Sequence, residues 1–139
     1  MQEGIKTMVI IEGKIKGKAR PRFNTKTGRA FTPGDTISYE NWVRLCYKEQ
    51  DGRYLEGSLK AVITAYYEIP KSYTKKRVQA IKEGLELPIK KPDADNIAKI
   101  ILDSLNGIAY KDDSQIVNLT VVKKYTDGAE KVMLELEGI

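Results

Sequence analysis

The chain has 139 residues, 41% of them apolar and 31% charged, which suits one domain with a real core and is too short for two comfortable ones. There is no histidine and only one cysteine, Cys46, which disfavours histidine-based nucleases, serine or cysteine triads, most zinc hydrolases and an internal disulfide. The formal charge of +5 hints at a polyanionic partner.

In chain order, Met8 to Ile15 is rich in β-branched residues and reads as a strand. The next stretch, GKARPRFNTKTGRAFTPGD, lacks periodicity and carries glycines and prolines, so a long loop is expected there. Ser38 to Tyr47 spaces Tyr39, Trp42, Val43, Cys46 and Tyr47 as one face of a helix, and that face, Trp42 and Cys46 included, is expected to fill the core. Leu59 to Ile69 reads as a second strand ended by Pro70. Ser72 to Glu83 is a lysine-rich helix with Ser72 as its cap and Gly84 as its stop.

Asp95 to Leu105 places Ile97, Ile100, Ile101 and Leu105 on one helical side before Asn106 and Gly107. Two strands follow, Ile116 to Tyr125 and Lys131 to Leu136, joined by a turn at Asp127 and Gly128. Strands before and after the helices predict an α+β domain with a small mixed or antiparallel sheet and packed helices. One domain is expected over residues 1–139. No apolar stretch approaches a membrane span and no signal-peptide core stands at the amino end, so the expected location is the cytoplasm.

Charge is distributed unevenly. Residues 1–33 hold eight basic residues, among them Lys16, Lys18, Arg20 and Arg22, against Glu3 and Glu12. A second basic run from Lys71 to Lys91 includes Lys75, Lys76 and Arg77. The sign then reverses: Asp93, Asp95, Asp103, Asp112 and Asp113 face only Lys99 and Lys111. Aspartates clustered in a phosphate-binding protein would repel the ligand unless a divalent cation bridged them. Without histidine, acid–base work falls to carboxylates, lysines, tyrosines or metal-bound water.

The stretch Lys90 to Ile116 concentrates this chemistry. Asp93 and Asp95 are two hard oxygen donors of the kind that suits magnesium or manganese. Asp112 and Asp113 lie beyond a helix about 15 Å long, so a tight return path is needed to bring one of them to the first pair. Lys99 falls one turn after Asp95, where it can hold a phosphate or stabilise developing charge. Each feature also has a plain structural reading: Asp95 as a helix cap, Lys99 paired with Asp103, and Asp112, Asp113 and Ser114 as a turn.

The stretch PDADNIAKIILDSLNGIAYKDDSQI resembles the RusA family of Holliday-junction resolvases, whose pattern is D-x-D-N, a lysine one turn on, D-x-L and then D-D-x-Q. GKARPRF with TGRAFTP resembles that family's amino-terminal segment, and VVKKY falls where it has its next strand. The resemblance implies a homodimer that nicks a four-way DNA junction symmetrically with magnesium in each subunit, manganese being a possible substitute. It implies Asp93, Asp95 and Asp113 as acidic metal-site residues, with Asp112 less certain, and Lys99 as a required catalytic lysine. DNA contacts are expected from Lys16, Lys18, Arg20, Arg22, Lys75 and Lys76. Two rival readings stand beside it: a general flap or fork nuclease, and a nonenzymatic nucleic-acid-binding module with a structural cation.

Overall fold

The structure is a computed structural model that describes residues 4–18, 22–23, 26–27, 30–31 and 34–139. Among the described residues, six strands and three helices run in the order β1 (Lys6–Glu12), β2 (Arg22–Phe23), β3 (Ala30–Phe31), α1 (Gly34–Gln50), β4 (Leu59–Glu68), α2 (Lys75–Lys82), α3 (Ala94–Ser104), β5 (Ile116–Thr126) and β6 (Lys131–Gly138). A short 3₁₀ turn at Asp113–Gln115 leads into β5. The main sheet has the order β1-β6-β4-β5, and β2 pairs with β3 in a separate small ladder. The architecture is therefore α+β with a mixed sheet, as the alternation of elements predicts. No described helix is long and apolar enough to cross a membrane.

Side-chain alternation explains which face of the sheet is covered. Thr7, Val9 and Ile11 of β1, Ala61, Ile63 and Ala65 of β4, and Val132, Leu134 and Leu136 of β6 are all buried, and period-two spacing puts each set on one face of its strand. Helices α1 and α3 pack on that face, α1 against β1 and α3, and α3 against β5. Ile97, Ile100 and Ile101 of α3 are fully buried, and burial of one such side chain contributes about 1.5–3 kcal/mol. A helix anchored this firmly gives its polar face a fixed direction.

Three expectations need correction. The two carboxy-terminal strands do not form a hairpin: β5 runs parallel to β4, β6 runs antiparallel to it, and β4 lies between them. Residues 127–130 carry the chain across the end of β4, a step of roughly 10 Å that four extended residues span easily. The long amino-terminal loop contains the β2–β3 ladder. Trp42 is not core. It is 42% exposed, because it sits at the margin of the stripe formed by Tyr39, Val43, Cys46 and Tyr47, and its indole N–H donates to the Glu12 carbonyl at 2.7 Å. Those four neighbours, Cys46 included, are buried as expected.

Element boundaries also shift slightly. The lysine-rich helix is capped by Thr74, whose hydroxyl accepts from Arg77 N–H at 3.2 Å, not by Ser72. Gly84 does end it, in the left-handed region at φ 76°, where a residue without Cβ is least strained.

Candidate active site

Helix α3 begins at Ala94, so Asp93 is its N-cap and Asp95 lies in its first turn. Asp95 is therefore not the cap, and Asp93, which occupies that position, makes no side-chain capping hydrogen bond. Both carboxylates are exposed, and neither forms a hydrogen bond or ion pair with a described residue.

Lys99, four residues on, is exposed and likewise free of described partners. The expected Lys99–Asp103 pair is not formed: Asp103 lies 3.8 Å from Lys18 instead. Asp95, Lys99 and Asp103 form one row along α3, each step one turn, so Lys99 stands between two acidic stations about 12 Å apart.

The segment that carries Asp93 into the helix is itself held. Lys123 of β5 donates to the carbonyls of Lys90 and Pro92, the latter at 3.0 Å. The Tyr67 hydroxyl donates to the same Pro92 carbonyl at 3.4 Å. Lys123 and Lys90 both approach the Tyr67 ring to 5.5 Å, a distance at which a cation is drawn to the π face. Sequence reading passed over Lys123, since its role depends on the β4–β5 pairing that brings it beside residue 92.

Beyond α3 the chain turns back on side-chain hydrogen bonds. Asn106 accepts from the Asp113 backbone N–H at 2.8 Å, and Gly107 N–H donates to the Tyr110 carbonyl at 2.7 Å. Buried Tyr110 donates its hydroxyl to Leu102 O at 2.6 Å. The spacing required a return that reaches Asp93 and Asp95, and this path instead leads to the carboxy-terminal part of the helix, where Asp103 is close enough to act on the Asp113 carboxyl; among the described residues no group of three such donors forms. Burial, followed by the neighbouring Asp103 and Asp112, raises the Asp113 carboxyl above its ordinary pKa.

The two adjacent aspartates have different jobs. Asp112 caps the 3₁₀ turn, accepting from Ser114 N–H at 3.0 Å, and its partner Gln115 accepts from the Lys111 and Asp112 N–H groups at 2.9 and 3.2 Å. Gln115 also donates to the carbonyls of Leu55 and Gly57 at 3.2 and 3.0 Å, tying the turn to the loop before β4. The hydrogen bonds from Ser114 hold the Asp112 carboxyl below its usual pKa. In D-D-x-Q, the first aspartate and the glutamine build the turn that presents the second aspartate.

Among the described residues, no group of three or more carboxylates stands ready to hold a metal ion. The donor chemistry still fits magnesium, which typically binds through one or two carboxylates and completes its shell with water and substrate phosphate. Asp93 and Asp95 are two such free carboxylates.

The expected DNA-binding residues divide. Lys75 and Lys76 are exposed on α2 with no described partner, whereas the adjacent Arg77 is committed to Glu86 at 3.0 Å and to the Tyr73 ring at 3.6 Å. Lys16 is half-buried without an ion pair to a described residue, and Lys18 is paired with Glu40 at 2.8 Å. Arg20 lies outside the described residues, and Arg22 is described only by its place in β2. Lys14, Lys18 and Lys91 line a groove beside Asp93 and Asn96.

A mixed α+β unit with free aspartates and a lysine at one helix end, and cationic side chains beside them, has the make-up of a metal-assisted phosphodiester hydrolase. The profile of endodeoxyribonuclease RusA matches residues 12–137, and the chain belongs to the RusA family, whose members are endodeoxyribonucleases. It is also 31% identical, over 122 residues, to the uncharacterized protein YqaN of Bacillus subtilis (strain 168), an alignment covering 84% of this chain and 86% of YqaN.

Proposed function

We propose that the chain is a magnesium-dependent endodeoxyribonuclease that resolves four-way DNA junctions by paired symmetric nicks in recombination and repair. It would act as a homodimer of one unit spanning residues 1–139, in the cytoplasm of a bacterium or a phage host. The observation that carries this reading is the trio Asp93, Asp95 and Lys99 along the first half of α3, without a partner among the described residues, inside the stretch that the RusA match covers.

A magnesium ion, or manganese in its place, would supply Lewis-acid stabilisation of charge on the scissile phosphate. Asp93 and Asp95 would hold it, with the Lys123 clamp fixing the approach to Asp93. Lys99 reaches the same phosphate as a point charge and offsets the negative charge that builds up during attack. Asp113, raised by burial and by Asp103, takes up a proton more readily than a surface aspartate, which suits activation of water. Lys16, Lys75 and Lys76, with Arg20 and Arg22, supply sequence-independent phosphate contacts. Two-fold symmetry of a dimer matches the near two-fold symmetry of a junction and delivers two equivalent sites.

The test is cleavage of a synthetic four-way junction, a flap and a linear duplex side by side, with magnesium and with chelator. Symmetric nicking of the junction alone, abolished by chelator, is expected. Equal cutting of flap and junction would replace the reading with a general branched-DNA nuclease, and binding without cutting would replace it with a nonenzymatic module.

A further inference from the structure

We propose that Lys18 is a positioning residue for the catalytic carboxylates and not a phosphate contact; this rests on the endonuclease reading above. Its ammonium is held by Glu40 of α1 and turned onto Asp103, the neighbour of Asp113.

The backbone around Lys18 is fixed on α3. Lys18 N–H donates to the Asn96 carbonyl at 3.0 Å. At Gly17 a Cβ would fall 2.8 Å from Pro92 Cβ and 3.1 Å from Asn96 Cβ, so only glycine lets the segment lie this close to the start of the helix.

From that anchor the side chain reaches inward. Its Nζ lies 2.8 Å from Glu40 Oε2 and 3.8 Å from Asp103 Oδ2, and only 23% of the side chain is exposed. Glu40 is 8% exposed, and Lys18 is its one ion-pair partner among the described residues. A carboxylate so placed is costly without a cation, so Lys18 is not released to a phosphate without leaving Glu40 uncompensated. Lys75, Lys76 and Lys99 carry no such obligation.

The contact with Asp103 links this pair to the site. Asp103 and Asp113 are close enough for one carboxyl to act on the other, and two neighbouring carboxylates repel unless a proton or a cation intervenes. The Lys18 ammonium, 3.8 Å from Asp103 Oδ2, supplies that cation and steadies the carboxylate that flanks Asp113. Lys18 therefore joins three elements, the amino-terminal segment, α1 and α3, at the carboxylate that flanks Asp113.

The experiment compares wild type, Lys18→Met/Glu40→Gln and Lys18→Arg by three measurements. These are junction affinity against salt without magnesium, single-turnover cleavage against magnesium, and Mn²⁺ binding by electron paramagnetic resonance without DNA. The double substitution removes one charge of each sign, so long-range electrostatic effects on cation affinity largely cancel. The expected result for it is junction affinity within about two-fold of wild type and an unchanged salt slope, with cleavage slowed at least about ten-fold and Mn²⁺ affinity, set by Asp93 and Asp95, within about two-fold. Lys18→Arg is expected to restore cleavage to within about three-fold.

A reduced salt slope with an intact cleavage rate would overturn the proposal and make Lys18 a phosphate contact. A wild-type cleavage rate would overturn it as well. If wild-type protein fails to cut any branched substrate, the endonuclease reading falls, and the salt slope of junction binding still decides whether Lys18 is a phosphate contact.

Discussion

The two ends of α3 are built on opposite plans. At the amino end, Asp93, Asp95 and Lys99 are exposed and make no hydrogen bond or ion pair with a described residue. At the carboxy end, nearly every polar group is spent inside the protein: Asn106 on the Asp113 backbone, Tyr110 on Leu102, Gln115 on Leu55 and Gly57, and Ser104 on Ile100. The difference separates side chains that maintain the shape from those kept available for something the chain itself does not contain.

The comparison is broken most sharply at the amino end. Asp93→Asn or Asp95→Asn is expected to slow junction cleavage by about 10²–10³-fold. Junction affinity should stay within about two-fold, because cationic surface supplies most of it. Single-turnover kinetics beside a gel-shift titration reads both, and near-normal cutting by either variant would remove that aspartate from the site. Next, Lys99→Met should cost about 10²-fold in cleavage with little change in melting temperature, since Lys99 has no described partner to lose.

At the carboxy end the order of effects reverses. Gln115→Ala removes hydrogen bonds to the Leu55 and Gly57 carbonyls and should cost about 1–3 kcal/mol of stability in denaturant titration. Its cleavage defect should follow only from displacement of Asp113. If Gln115→Ala were as stable as wild type and as inactive as Asp93→Asn, the division between the two ends would be wrong.

The smallest effect lies away from both. Arg53 donates to both carboxylate oxygens of Asp51 at 2.8 Å, and Thr7 donates to it as well. The Arg53 hydrogen bonds above all hold the Asp51 carboxyl well below the usual carboxylate range. A depressed folded pKa gives stability that is present above the unfolded value, about pH 4, and is lost as pH falls toward the folded one. Melting curves from pH 7 to pH 3 should therefore show Asp51→Asn less stable than wild type at neutral pH, with the gap closing on the acid side. A gap independent of pH would exclude this charge as its cause.

Local signals made most of the fold legible. β-branched runs marked β1, β4, β5 and β6, and the spacing of Ile97, Ile100 and Ile101 marked α3, because each depends on periodicity within one segment. Strand order did not follow, since the position of β4 between β5 and β6 is decided by a crossover through α2 and α3, and a short connection between β5 and β6 suits a hairpin equally well. In the site, the free end of α3 was visible as D-x-D-N with a lysine one turn on. The locked end is legible only in part: spacing offers Lys99 as an alternative partner for Asp103 and gives Glu40 and Lys123 no role. Their roles come from contacts between residues 22, 85 and 31 positions apart, which no local spacing encodes.

The central claim is that the free end of α3 is kept for a divalent cation. Mn²⁺ titration followed by electron paramagnetic resonance on the folded protein, without DNA, tests it directly by comparing wild type, Asp93→Asn, Asp95→Asn and Asp112→Asn. The account predicts that Asp93→Asn and Asp95→Asn each weaken binding at least about ten-fold, while Asp112→Asn, altered only in its turn, stays close to wild type. Equal Mn²⁺ affinity in all four proteins, or loss confined to Asp112→Asn, would contradict it.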